Sequence, residues 1–362
     1  MLYYLLYSFH ESLSSFNIFR YITFRAALAA VTSFLVCLAL GPVIINALKK
    51  MKVGENVRKE DSKQLYELHG KKQDTPTMGG ILILLAMLSS TLLWADILNP
   101  QILLALFTTV WLGITGFVDD YLKHIGKCSK GLTASTKFSS QIVLGLILGI
   151  FLLFDPQNST NLDLPFLKDV SLNLGIFYII FVIIVITGSS NAVNLTDGLD
   201  GLAIGCVIMV ALTYAVLTYV SGNIKFSDYL FIPYIRGAGE LTVFCASILG
   251  AGLGFLWFNC YPASIFMGDT GSLSLGGALG IVALLVKKEL LLVVVGGIFV
   301  LEAASVILQV ASFRFTGRRI FRIAPLHHHF QFLGWPESKV ITRFWILASL
   351  LALLTLVTLK IR

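Results

Sequence analysis

The chain alternates between long apolar stretches and short polar gaps. Unbroken apolar runs exclude a strand-based membrane barrel, whose segments are short and alternate. The pattern therefore predicts an all-α polytopic integral membrane protein with about ten transmembrane helices. The ten stretches, each close to the length that crosses a bilayer, are 22–48, 78–95, 102–118, 138–154, 172–187, 201–221, 241–258, 270–286, 290–312 and 341–359.

Composition and charge agree with a membrane protein and suggest its orientation. The 362 residues are 56% hydrophobic and 13% charged, about half the charged fraction of a soluble protein. About two thirds of the 27 lysines and arginines lie in the odd-numbered gaps, chiefly 49–77 and 313–343. The positive-inside rule places those gaps in the cytoplasm and both termini in the periplasm. The net charge of +7 suits anionic lipid or a phosphorylated substrate, or serves topology alone. No nucleic-acid partner is predicted.

We expect one transmembrane domain spanning residues 1–362. Residues 1–20, with several tyrosines, are predicted to form an interfacial helix. The five cysteines are scattered without a CxxC pair, which predicts neither a disulfide framework nor a zinc site.

Three groups of acidic residues occupy cytoplasmic gaps. Asp119 and Asp120 follow the apolar run WLGITGFV. Adjacent helical residues point about 100° apart, so we do not expect them to chelate one ion as a simple pair; one would face a metal and the other a second ligand. The alternative for this doublet is a helix end reaching into water.

The other two acidic groups are NAVNLTDGLDG at 191–201 and FMGDTGS at 266–272. Capping of the next helix explains one Asp and one Asn of the first, but not both Asp197 and Asp200. Asp269 is either the N-cap of the eighth span or a metal ligand. Carboxylates that converge without local lysines favour Mg²⁺.

Two further polar segments suit phosphate binding. His327, His328 and His329 follow a basic stretch, and consecutive residues rarely chelate one metal together. The segment KKQDTPTMGG at 71–80 is either a phosphate contact or an ordinary basic loop. Glu302 and Gln309 lie seven residues apart inside the ninth span, hence on one helix face. We assign Glu302 to a structural interhelical hydrogen bond.

Taken together, GFVDDYLK, NAVNLTDGLDGL, FMGDTGSL and APLHHHFQFLGWPE resemble the phospho-N-acetylmuramoyl-pentapeptide-transferases, a bacterial family of the polyprenyl-phosphate N-acetylhexosamine-1-phosphate transferase superfamily. The resemblance implies ten membrane helices, a homodimer and a cytoplasm-facing site in the inner membrane. It also implies UDP-MurNAc-pentapeptide and undecaprenyl phosphate as substrates, lipid I and UMP as products, and Mg²⁺ as cofactor.

The same resemblance implies roles for individual residues. Asp269 resembles the Mg²⁺ ligand, Asp120 its partner near the metal and lipid phosphate, and Asp119 the base or nucleophile. The nucleoside and sugar side is implied for Asn194, Asp197, Gly198, Leu199 and Asp200, with Phe266 on uracil and weaker carry-overs at Asn259 and Gln309. The phosphate side is implied for Lys72, Thr77, His327, His328 and His329, with His328 assigned a catalytic role. Asp74 departs from the family's usual glycine before TPTMGG.

Two mechanisms and two rival functions stay open. The lipid phosphate attacks directly, or Asp119 forms a covalent phospho-aspartyl intermediate. A polyprenyl-phosphate GlcNAc-1-phosphate transferase would share the acidic motifs but lack the histidines followed by GWPE. An ion-coupled transporter would instead require groups such as Glu302 at mid-bilayer.

Overall fold

The computed structural model describes residues 2–8, 10, 14–51, 75–124, 131–155, 158–164 and 171–360. Within them the protein is mostly helical, with one small hairpin. The helices are α1 (Leu2–Ser8), α2 (Ile22–Lys50), α3 (Gly80–Trp94), α4 (Pro100–His124), α5 (Ala134–Phe154), α6 (Tyr178–Thr196), α7 (Leu202–Ser221), α8 (Ile224–Leu230), α9 (Glu240–Asn259), α10 (Gly268–Leu285), α11 (Glu289–Val295), α12 (Gly297–Thr316), α13 (Leu326–Phe332) and α14 (Glu337–Val357). Short segments of 3₁₀ helix occupy Ser14–Arg20, Gly175–Phe177 and Thr358–Lys360.

Helices long and apolar enough to cross a membrane account for most of the described chain. Nine helical segments meet that description, and the 15-residue helix α3 is a tenth, shorter apolar helix. The predicted polytopic helical membrane protein is therefore confirmed. The exact number of spans and the side of the membrane on which the termini lie stay predictions.

The predicted ninth span, 290–312, is wrong as a single helix. The structure divides it into α11 and α12, separated at Gly296. Gly296 is followed by Gly297, and glycine costs about 1 kcal/mol relative to alanine inside a helix. Apolar character was sufficient to predict a span here, but it did not reveal the break.

Residues 1–20 also differ from the expected single interfacial helix. Within them the structure describes α1 and the 3₁₀ segment Ser14–Arg20. The Tyr4 hydroxyl donates to the Asp96 carboxylate just before α4, and the Arg25 guanidinium lies 4.2 Å from the Tyr3 ring centroid. Near the other terminus, Lys360 lies over the Tyr229 ring of α8. The unpredicted hairpin pairs β1 (Asn161–Asp163) with β2 (Ser171–Asn173).

Helix α10 is the centre of the bundle, and close contacts at glycine hold its first turn against α3 and α4. Nearly every α10 side chain is buried. A Cβ atom added to Gly116 of α4 would lie 2.3 Å from the Asp269 carbonyl oxygen, and one at Gly80 would lie 2.1 Å from the Gly271 nitrogen. Small residues permit such close approach of membrane helices. The packing therefore places Asp269 beside the acidic end of α4.

Candidate active site

Three carboxylates from two helices converge at one end of the bundle. Asp119 and Asp120 lie near the end of α4, and Asp269 lies in the first turn of α10. One carboxylate oxygen from each residue lies within 4.8 Å of those of the other two. Asp119 and Asp120 are buried. The predicted convergence of these distant acidic residues is confirmed.

Asp120 binds the N-terminus of α10. The backbone N–H of Asp269 donates to Asp120 Oδ1 (3.1 Å), and the N–H and hydroxyl of Thr270 donate to Oδ2 at 2.9 and 2.7 Å. The first N–H groups of a helix have no partner inside it, and a carboxylate there is stabilised by the helix dipole. Asp120 thus fixes the position of Asp269.

Asp119 points to different partners, as expected for the next residue on a helix. Its Oδ1 accepts the backbone N–H of Leu132 at 2.8 Å. Its Oδ2 lies 2.5 Å from the Lys123 ammonium and 2.6 Å from that of Lys137. The two adjacent carboxylates therefore serve different contacts while keeping oxygen atoms near Asp269.

Lys123 and Lys137 also lie in the site, so the expectation that the acidic residues converge without local lysines is wrong. The Lys123 ammonium lies 3.1 Å from Asp269 Oδ2, and Lys137 forms an ion pair with the same oxygen. The spacing of Lys123 four residues after Asp119 was a usable signal, because such positions face each other on a helix. Lys137 lies in the first turns of α5 and carries no local signal.

Asn194 reaches the same cluster from α6. Its amide Nδ2 donates to Asp269 Oδ1 and to the Ser272 hydroxyl, both at 2.8 Å. The prediction that residues 191–201 form a gap between spans is wrong at its start, because α6 continues to Thr196 and Asn194 lies on this helix. Its predicted proximity to the acidic residues is confirmed.

The turn after α6 is tied to the segment that follows α9. The Ala263 backbone N–H donates to Asp200 Oδ2 at 2.9 Å, and the Asp200 N–H donates to Glu337. Gly201, with a φ of +76°, donates its N–H to Asn259 Oδ1 at 3.0 Å. Asp200 and Asn259 are buried, so they hold this turn in place.

The segment 75–80 packs beside the cluster. Its backbone bonds to Phe266, whose N–H donates to the Pro76 carbonyl and whose carbonyl accepts the Gly79 N–H, both at 2.8 Å. Thr77 is buried, and its hydroxyl and the Asp120 carboxylate both border Gly268, which has a φ of +72°. Lys72 and Asp74 lie outside the described residues.

The three histidines face different surroundings. His327 is buried against Gly198 and Glu302. His328 Nδ1 lies 3.0 Å from Gln331 Oε1, and His329 Nδ1 accepts the backbone N–H of Arg322. Gln309 accepts the N–H groups of residues 320 and 321. The contacts of His329 and Gln309 thus lie with the segment before α13; their substrate roles stay predictions.

Comparison with known proteins first identifies the broad class of protein to which the chain belongs. Residues 102–287, about half of the chain, match the family model described as glycosyl transferase family 4. That range contains all three clustered carboxylates, both lysines and Asn194. Fold, site and match together define a membrane transferase of this class.

The chain belongs to the phospho-N-acetylmuramoyl-pentapeptide-transferase family. Residues 72–84 match that family's first signature. Proteins of that name are 54% identical in Methylacidiphilum infernorum, 53% in Citrifermentans bemidjiense and 52% in Desulforapulum autotrophicum. Each alignment covers 100% of both chains.

Proposed function

We propose that the protein transfers phospho-N-acetylmuramoyl-pentapeptide from UDP-MurNAc-pentapeptide to undecaprenyl phosphate. The products are undecaprenyl-pyrophosphoryl-MurNAc-pentapeptide (lipid I) and UMP, in the first membrane step of peptidoglycan synthesis. The observation that carries the proposal is the meeting of Asp119, Asp120 and Asp269 in a chain with full-length relatives of that name.

The donor set fits Mg²⁺, with Asp269 and Asp120 as ligands and Asp119 beside them. Carboxylate oxygens are the ligands that a hard divalent cation prefers. Asp120 already accepts three hydrogen bonds, but a carboxylate has about four acceptor positions, so one remains. The attraction of two ammonium groups to the cluster also supports a cation site. Bound there, Mg²⁺ would neutralise charge on the pyrophosphate during phosphoryl transfer.

The bond changes require little from the protein beyond positioning. An oxygen of the lipid phosphate attacks the β-phosphorus of the nucleotide sugar. The bond from that phosphorus to the bridging oxygen breaks, and UMP leaves with it. The second pKa of a phosphate is about 6, so the acceptor is largely dianionic at neutral pH. We therefore favour direct attack, with Asp119 accepting any residual proton and Lys123 and Lys137 attracting phosphate.

An apolar groove reaches the residues next to Asn194 and supports a lipid acceptor. A cavity of about 360 Å³ is lined by residues of α6, α10, α11 and α12. It includes Ala192 and Val193, which directly precede Asn194. A prenyl chain occupying this groove keeps its hydrocarbon in the bilayer while its phosphate meets the carboxylates.

The nucleotide sugar is assigned to the neighbouring turn and loop segments. Its uracil is assigned to Phe266, and its phosphates to Lys72, Thr77 and the histidines, with His328 partly exposed. The remaining assigned contacts are Asn194, Asp197, Gly198, Leu199, Asp200, Asn259 and Gln309. The site faces the cytoplasm of a bacterial inner membrane, and the protein is a homodimer, as the lysine-rich gaps and the family resemblance suggest.

One assay tests the reaction against both rivals. The purified protein is supplied with undecaprenyl phosphate and either UDP-MurNAc-pentapeptide or UDP-GlcNAc, with or without Mg²⁺, and UMP release is measured. We expect release only with the muramoyl donor and Mg²⁺. Preference for UDP-GlcNAc would support a GlcNAc-1-phosphate transferase. Absence of UMP release with either donor would favour the ion-coupled transporter.

A further inference from the structure

A buried carboxylate that the reaction does not use lies inside α12. Glu302 is 0% exposed, and its partner is His327, at 1% exposed, in the first turn of α13. The His327 backbone N–H donates to Glu302 Oε1 at 3.1 Å. The second oxygen, Oε2, lies 3.2 Å from His327 Nδ1. Glu302 therefore holds both the backbone and the ring of one histidine.

This two-point contact sets the orientation of the imidazole. The Oε2–Nδ1 contact lies within ion-pair distance but does not have hydrogen-bond geometry, so it sets where the ring lies and not which ring nitrogen carries the proton. The other ring nitrogen, Nε2, is directed at the turn after α6: a Cβ atom built on Gly198 would lie 2.3 Å from it. The ring of His328 also packs on His327, with centroids 4.2 Å apart. His327 thus contacts both the Gly198 turn and the next histidine.

We propose that Glu302 is a positioning residue for the nucleotide-sugar side of the site. It fixes His327, and through that ring it holds the Gly198 turn and the orientation of His328. This inference rests on the proposed function, because that turn is assigned there to the donor substrate. It extends the interhelical hydrogen bond expected for Glu302 by giving the bond a consequence for substrate affinity.

Removal of the carboxylate separates positioning from folding. In Glu302→Ala we expect the KM for UDP-MurNAc-pentapeptide to rise roughly 10- to 100-fold, with a smaller change in kcat, since a displaced substrate contact costs up to about 100-fold. Glu302→Gln keeps an acceptor for the His327 backbone N–H and should raise KM less. A merely structural role would reduce the folded fraction, and hence the apparent kcat, with KM unchanged; that result would overturn the proposal.

A double-mutant cycle tests the path through His327. Gly198→Ala alone forces a methyl group against the held ring and should raise KM. In the Glu302→Ala background the ring is released and can move. The factor by which Gly198→Ala raises KM should therefore be at least about 3-fold smaller than in the wild-type background, as expected for coupled sites. The exposed carboxylate Asp228 gives the matched control: Asp228→Ala and Gly198→Ala should be additive. Additivity of Glu302→Ala with Gly198→Ala would contradict the proposal.

The two proposals fail in distinguishable ways. Absence of UMP release by the wild-type protein refutes the proposed function. An active wild-type protein whose KM is unaffected by Glu302→Ala refutes only the positioning role.

Discussion

Buried charges lie near both ends of helix α4, and the two groups are arranged differently. At its start, Arg25 of α2 and Glu240 of α9 form a bidentate pair at 2.5 and 2.7 Å, and Glu240 also accepts the Asp96 N–H. At its end, roughly 30 Å away at 1.5 Å per residue, three carboxylates share two lysines.

The difference distinguishes structural from functional charge. Arg25 and Glu240 match one to one and join three helices, since Arg25 also donates to the Trp94 carbonyl. Among the described residues at the other end, three carboxylates face two ammonium groups, and such an excess of buried negative charge is costly unless a further cation offsets it. A buried charge with one partner of opposite sign therefore indicates a structural role, whereas an excess of buried carboxylates indicates a binding site for a cation.

The largest effect is expected from Asp269→Asn. Loss of a metal-binding charge should reduce turnover at least roughly 100-fold, or about 3 kcal/mol of activation free energy. The protein should remain folded in detergent, which size-exclusion chromatography and thermal unfolding would show. The control is Asp163→Asn at the opposite end, where Asp163 lies 3.4 Å from Lys288. Equal activity of the two variants would remove Asp269 from the metal site.

Breaking the Arg25–Glu240 pair should lower stability and leave turnover unchanged, the reverse of the result expected for Asp269→Asn. Arg25→Met leaves Glu240 without its cation, and removal of one partner of a buried pair costs about 3 kcal/mol or more in unfolding free energy. The melting temperature should fall clearly, while kcat per folded molecule stays unchanged. A drop in kcat without a drop in stability would show that this end also affects catalysis.

An intermediate effect is expected from Lys137→Met. Removal of one ammonium group makes the cluster more negative, so phosphate affinity should fall while Mg²⁺ affinity does not. We expect kcat/KM for the nucleotide sugar to fall roughly 10- to 100-fold, as for loss of one positioned charge in a transition state. Lys137→Arg keeps the charge and should lose less. Weaker Mg²⁺ binding in Lys137→Met would contradict this assignment.

The smallest effect concerns pH and the residues between α10 and α12. Burial raises the pKa of Glu289 to about 7, and burial lowers the pKa of Lys287 to about 8. In the folded protein Glu289 stays protonated at pH values above its ordinary pKa of 4.5. The free energy of unfolding should therefore decline as pH rises from about 5 to 7. Lys287, 4.0 Å away, stays protonated across this range, and its lowered pKa makes stability rise with pH only above about 8.

Thermal unfolding across that pH range, compared between wild type and Glu289→Gln, measures the effect. The variant should show a flatter profile. An identical slope in both proteins would assign the pH dependence to other groups.

Sequence pattern was sufficient for the helices and the acidic convergence, but not for contacts made across the bundle. Apolar length predicted the spans because hydrocarbon requires it. Asp119, Asp269 and Asn194 were expected together because their gaps share one side of the membrane. The positions of Lys137 and the Glu302–His327 contact depend on which helices meet, and no local pattern records that. The break at Gly296 did have a local signal, the glycine pair, which apolar length alone does not use.

The hydrogen bonds from α10 to Asp120 also bear on biogenesis. The donor, Thr270, is synthesised 150 residues after the acceptor. While the ribosome completes the intervening helices, Asp120 lacks its hydrogen-bond donors on α10, and an unpaired acid is costly near hydrocarbon. A nascent chain halted before α10 lacks Asp269, so the centre of three carboxylates forms only after α10 has been made.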